Sequence, residues 1–169
     1  MSMRQMTEKS LREAFAGESQ AHMKYLIFAE QAEKEGLHDV ARLFRAISFA
    51  EQVHATNHFK ALMELKNTSE NLQSAWGGEN FEVEEMYPAY NAIASLQDEK
   101  DAIRSIHFAL SAEKIHRELY ANTKEKLDKG EEVKFDKIYI CPVCGYTVVG
   151  EAPEQCPICG APKSAFKEF

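Results

Sequence analysis

From Thr7 to Glu35 the apolar residues recur at steps of three and four, no proline intervenes, and Gly36 stands where a C-terminal cap belongs. The pattern predicts a helix of about 28 residues whose inward stripe is Leu11, Phe15, Glu18, His22, Tyr25, Ala29 and Ala32. The same stepping predicts a second helix over about 39–66, with Val40, Phe44, Ile47, Glu51, His54, His58, Ala61 and Leu65 inward. Residues 67–80 hold Ser69, Ser74 and Gly77-Gly78 and read as a loop, which at up to about 3.5 Å per residue is long enough to cross a bundle lengthwise. A third helix, about 81–96, shows Glu82, Glu85, Ala89, Ala92 and Leu96 on one face and is expected to kink at Pro88, re-aiming its carboxylates. The fourth, about 98–129, stops at Gly130 and turns Ile106, Leu110, Glu113, His116, Tyr120, Thr123 and Leu127 inward. The expected architecture is an all-α four-helix bundle with one long crossover.

Charged residues in the middle of these seams are the anomaly. Glu51-Gln52-Val53-His54 and Glu113-Lys114-Ile115-His116 each set a carboxylate and an imidazole on one side of a helix, among apolar neighbours. Burying carboxylates is costly unless a cation neutralises them, so two such pairs predict a two-metal site. Heights along the helices agree. Folding the first two helices at Gly36 sets Glu18 and Glu51 roughly 26 and 22 Å from the turn, and folding the last two near Gln97 sets Glu82 and Glu113 each about 23 Å from theirs. Glu18, one Glu-x-x-His, Glu82 with Glu85, and a second Glu-x-x-His together make the carboxylate di-metal pattern of ferritin-like bundles. Such ligands suit iron or manganese and also accept zinc. Five glutamates exceed by one the four positive charges of an oxo-bridged diferric pair or of two ferrous ions. One of them, Glu85, is therefore expected to change its binding with oxidation state, with the neutral His54 replacing it in the reduced form. Tyr25 and Tyr90 lie close enough along their helices either to orient a ligand carboxylate or to pack as core aromatics, while His22 and His58 are expected to be hydrogen-bonded core residues.

All four cysteines lie between Cys141 and Cys159, a composition break that divides the chain into a bundle, 1–135, and a tail domain, 136–169. Cys141-Pro142-Val143-Cys144-Gly145 and Cys156-Pro157-Ile158-Cys159-Gly160 are two knuckles of a tetrahedral four-thiolate site. Zinc would make this tail a structural ribbon and iron a one-electron carrier, and the spacing leaves both open. Tyr139, Tyr146, Phe166 and Phe169 are available to pack around it. A net charge of -7 argues against nucleic acid or an anionic membrane as partner. The chain contains no apolar run of about 18 residues, and its start, Met1-Ser2-Met3-Arg4-Gln5, lacks the apolar segment of a signal peptide. A cytoplasmic location, where clustered thiols stay reduced and hold metal, is expected.

The segments Ala14-Phe15-Ala16-Gly17-Glu18-Ser19, Ala50 to His54, Phe81 to Pro88 (Phe-Glu-Val-Glu-Glu-Met-Tyr-Pro), Ala112 to His116 and the knuckled tail resemble the rubrerythrin family over essentially the whole chain. The resemblance implies a ferritin-like di-iron bundle joined to a rubredoxin-like iron domain, working as a peroxidase in organisms that avoid oxygen. It implies that Glu51 and Glu113 bridge the irons, Glu18 binds the first, Glu82 and His116 bind the second, and Glu85 and His54 alternate on the first. It places Tyr25 and Tyr90 beside that site, gives Glu85 a proton-shuttling role, and assigns Cys141, Cys144, Cys156 and Cys159 to the single iron. Hydrogen peroxide would be reduced to water with electrons from an external donor such as a rubredoxin or an NAD(P)H-dependent reductase. Because the tail hangs on a short tether, a homodimer, head-to-tail or domain-swapped, is expected to pass electrons between subunits. Two other functions use the same residues: a ferroxidase or iron-handling bundle, marked by oxygen outcompeting peroxide, and a zinc-ribbon interaction protein, marked by zinc in the tail.

Overall fold

The structure, a computed structural model, describes residues 3–169; Met1 and Ser2, on which part of the expectation about a signal segment falls, lie outside the described residues. Two compact units are present, Met1–Lys66 and Asn67–Phe169.

The first unit is a helical hairpin of α1 (Gln5–Lys34) and α2 (His38–Ala61). Gly36, at φ +75°, takes the left-handed conformation that ends α1, and the amide of Leu37 returns to Ala32 O at 2.9 Å. Small residues let the helices approach: Ala29, Ala32, Ala41, Ser48 and Ala55 are buried. Ser48 Oγ donates to His22 O at 2.9 Å and His22 Nδ1 lies 2.9 Å from Ser48 O, so His22 fastens one helix to the other. The packed seam of α2 runs through Ala41, Phe44, Ser48, Glu51, Ala55 and His58, whereas Val40, Ile47, His54 and Ala61 lie on an exposed flank. A bundle helix presents an apolar arc wider than one stripe, and the expected stripe followed the edge of that arc.

Residues 67–80, expected to be the crossover loop, form most of α3 (Thr68–Phe81), and only 62–67 separate it from α2. Asn67 caps it: its side-chain oxygen accepts the Glu70 N–H at 2.9 Å, and its amide donates back to the Glu70 carboxylate. Leu72, Ala75, Trp76 and Glu79 make its half-buried face. Gly77 and Gly78 lie inside the helix with open space where a Cβ would stand, so they imitate a loop without breaking it.

The expected kink at Pro88 is instead a π-helical turn, Glu82–Met86, in which the Tyr87 amide reaches back to Glu82 O. Pro88 then falls in the first turn of α4 (Tyr87–Leu96), where its missing N–H costs no helix bond. The wide turn shifts the register, leaving Glu85 exposed and bringing Tyr87 to a half-buried position. Helix α5 (Lys100–Asp128) packs against α3, the π turn and α4.

The tail is a three-stranded antiparallel sheet of order β2-β1-β3, from β1 (Ile138–Ile140), β2 (Thr147–Val149) and β3 (Lys167–Glu168), with a short 3-10 turn at Lys163–Ala165. It lies on α5 of its own chain. Phe108 packs on the cysteine cluster, and a Cβ built on Gly145 would stand 3.6 Å from Ala112 Cβ. The short tether therefore does let the tail reach α5 of the same chain. Asn67→Ala should lower the stability of this unit by about 1 kcal/mol while Asn67→Ser retains it, read from urea unfolding followed by helix circular dichroism.

Candidate metal centres

Among the described residues three groups of ligating side chains gather, each with donor atoms within 4.8 Å of one another: Glu18, Glu51 and His54; Glu79, Glu113 and His116; and the four cysteines. In the first unit, α1 supplies Glu18 and α2 supplies Glu51 and His54. His54 Nδ1 lies 2.9 Å from Glu51 Oε2 and 4.0 Å from Glu18 Oε1. The His54 side chain is 54% exposed.

In the second unit, α5 holds Glu113 and His116, with His116 Nδ1 2.7 Å from Glu113 Oε2. Helix α3 and the π turn add Glu79 and Glu82, each raised from the ordinary carboxylate value chiefly by burial. Glu79 reaches about 7, pushed first by burial and then by the neighbouring Glu113. Its buried Oε2 has no hydrogen-bond partner. Burial also lifts Glu113. An orphaned carboxylate oxygen beside two other carboxylates and an imidazole fits a cation.

Glu85, taken for a ligand, redox-linked switch and proton shuttle, is exposed and outside this group; the π turn rotates it away, and Glu79 stands in the group instead. Glu79 escaped the sequence reading because Gly77-Gly78 disguised its helix. The Asn67-to-Glu70 cap and the Leu72, Ala75, Trp76, Glu79 spacing were the signals available. Tyr90 is 50% exposed and forms a T-shaped ring pair with Tyr87, centroids 6.4 Å apart. The phenols beside the carboxylates are Tyr87 and Tyr120. Both are raised, by burial first and then by the charges of Glu82, Glu113 and Glu79 for Tyr87, and of Glu79 and Glu113 for Tyr120. Tyr25 packs with Phe28 and Phe44, ring centroids 6.2 Å apart in each case.

The cysteine site is built twice over by the same local geometry. Cys141 N donates to Tyr146 O and Gly145 N to Cys141 O; Cys156 N donates to Ala161 O and Gly160 N to Cys156 O. Gly145 and Gly160 both adopt φ +78°, which each knuckle needs in order to turn its amides toward sulfur. Sγ of Cys141 and Cys159, and of Cys144 and Cys156, are 3.5 Å apart, far beyond a disulfide bond and near the roughly 3.8 Å edge of a tetrahedron with 2.3 Å metal–sulfur bonds. For Cys156, burial opposes ionisation, but the amides of Cys159 and Ile158 together with the neighbouring Cys144 and Cys159 side chains outweigh it and bring the thiol to about 7. Tyr146 and Phe166 cover the cluster, joined by Phe108 from α5. Tyr139 and Phe169 do not: Tyr139 donates to Glu168 at 2.8 Å, and Phe169 is exposed under Lys167. Among the described residues no helix is long and apolar enough to cross a membrane.

The rubrerythrin family model matches residues 9–124, and the model of the rubrerythrin rubredoxin-like domain matches 139–167. Rubrerythrin-2 of Clostridium acetobutylicum is 43% identical, with 97% of each chain covered. Nigerythrin of Nitratidesulfovibrio vulgaris is 34% identical over 96% of this chain and 86% of its own. The solved structure of fully reduced, all-ferrous nigerythrin aligns with 100% of this chain and 89% of its own, at a TM-score of 0.58 and 33% identity.

The raised carboxyls give a pH prediction for the metal-free protein. Folded Glu79, at about 7, lies above an unfolded glutamate, so its contribution to stability is full below the unfolded value, falls as pH rises, and is lost above about 7. The melting temperature should fall between about pH 5 and about pH 8; Glu79→Gln should flatten that fall, and Glu85→Gln should leave it unchanged.

Proposed function

The chain belongs to the rubrerythrin family of di-iron oxidative-stress oxidoreductases, and we propose that it is a peroxidase that reduces hydrogen peroxide to water. The observation that carries this reading is the cysteine knuckle packed on α5, the helix of Glu113 and His116. An electron carrier beside the ligands serves a centre that must be re-reduced after every turnover. A storage or ferroxidase site needs no such return.

Peroxide takes up two electrons and two protons to give two waters. When bound, the iron pair supplies those electrons and polarises the peroxide oxygens, and the cysteine-held iron supplies replacements one at a time. Glu51 and Glu113 are the carboxylates that would bridge the pair, Glu18 the one that binds the first iron, and Glu79 with His116 the ligands of the second. Glu82 takes the part expected of Glu85. It sits in the π turn, and it would alternate with the exposed His54 as a ligand of the first iron. Tyr87 and Tyr120 keep their protons and act as hydrogen-bond donors to ligand carboxylates. Electrons reach the protein from a separate reductase, and the cytoplasm is the compartment that keeps its thiols reduced.

The working form is a homodimer in which each ligand set is completed by the other chain. A ferritin-like bundle needs one long crossover, yet residues 62–67 stretch to at most about 25 Å against roughly 36 Å for the 24 residues of α2. A second copy supplies the missing half without that crossover. Chains carrying Glu51→Ala and chains carrying Glu113→Ala, each unable to hold the iron pair, should recover up to about a quarter of the sites when unfolded and refolded together, because one site of each mixed dimer is intact. Recovery of none would refute the exchange.

The peroxidase reading is tested by reducing the iron-loaded protein without air and following the iron-thiolate colour after stoichiometric peroxide or oxygen. Faster return of colour with peroxide is expected. Faster return with oxygen would point to a ferroxidase, and a colourless, zinc-filled tail to a ribbon protein.

A further inference from the structure

We propose that Thr147 is a positioning residue that fixes His116 for metal binding and joins the cysteine site to it, an inference that rests on the peroxidase reading and adds the route its electrons take. Thr147 opens β2, is 4% exposed, and places Oγ 2.7 Å from His116 Nε2. Its hydroxyl hydrogen is already committed, since Oγ donates to Gly145 O at 3.0 Å. A hydroxyl has one hydrogen, so toward His116 the oxygen accepts and Nε2 carries the hydrogen. The neutral imidazole is thereby locked in the tautomer whose lone pair is on Nδ1, the nitrogen 2.7 Å from Glu113 Oε2. Two acceptors facing each other at that distance are reconciled by a cation bound to both.

The same contact shortens the path between the two centres. Gly145 directly follows Cys144, so covalent bonds lead from the sulfur to the Gly145 carbonyl, and two hydrogen bonds continue through Thr147 to the His116 ring. The approach depends on small residues: Gly145 and Ala112 meet with 3.6 Å between the Cβ positions. Each passage moves one electron. The cysteine-held iron is oxidised from ferrous to ferric, one ferric ion of the pair is reduced to ferrous, and no proton or atom crosses Thr147. The external reductase then restores the cysteine site.

Thr147→Val keeps the shape and removes the hydroxyl, whereas Thr147→Ser keeps the hydroxyl. In reduced, iron-loaded protein mixed with stoichiometric peroxide, Thr147→Val should slow the return of thiolate colour by about tenfold or more relative to the oxidation of the pair in the same sample, and Thr147→Ser should stay within about twofold. Independently of turnover, nitrogen-15 NMR of the zinc-loaded protein should show a slowly exchanging His116 Nε2–H in the wild type and Thr147→Ser and a rapidly exchanging one in Thr147→Val. Ala112→Leu, which lifts the knuckle from α5 without removing any ligand or the hydroxyl, should also slow the return of colour. Normal colour return in Thr147→Val or Ala112→Leu, or an unchanged Nε2–H in Thr147→Val, would overturn the proposal. If peroxide fails to oxidise the wild-type pair, the peroxidase reading falls, and the NMR comparison still decides the role of Thr147.

Discussion

The constraint on which the second unit turns is the crowding of Glu79, Glu82 and Glu113 around His116 in a half-buried site. Desolvation and mutual repulsion both disfavour three ionised carboxylates there, and only protons or a cation relieve them. Without metal the answer is protons, which is why burial lifts all three carboxyls. With a divalent pair the protons leave and the same crowding becomes affinity. Metal binding, pH and folding are therefore linked through one group of side chains.

How this site reads from the sequence depends on local helix geometry. Glu113 and His116 were legible because an unbroken α5 keeps three-residue spacing on one face, and so were Glu18 and Glu51 in the hairpin of α1 and α2. Spacing failed where the helix departs from 3.6 residues per turn. The π turn moves Glu85 to solvent, a shift that the Pro88 signal announces only as some disturbance of the backbone bonds. Glu79 was hidden for a different reason. Glycine weighs about 1 kcal/mol against a helix, but packing of α3 on α5 overrides it at Gly77 and Gly78. In α2 the element was legible and its rotation was not, since the choice between Ser48 and Ile47 as the buried position depends on which neighbour the arc faces.

The two knuckles of the cysteine domain were legible, because a tetrahedral thiolate site fixes chain geometry more tightly than hydrophobic packing does; the three strands between and beyond them, and which aromatics cover the site, were not. Each knuckle must supply two sulfurs, a glycine at positive φ and amides pointing inward, and the sequence repeats that unit around Cys141 and Cys156. Its docking was not legible. Nothing in the spacing of the tail says that Phe108 and Ala112 on α5 receive it; that depends on a small-residue contact formed between segments more than thirty residues apart.

The two Glu-x-x-His motifs, alike in sequence, end in unlike surroundings. His116, with 28% of its side chain exposed, is held at both nitrogens, one side by Glu113 and the other by a threonine from the knuckle. His54 meets Glu51 from a side chain more than half exposed. A ligand clamped on both sides has little freedom to leave a metal, and one held on a single side can swing. The two imidazoles are therefore held unequally: His116 is fixed from both sides by α5 and the knuckle, and His54 keeps the freedom to turn.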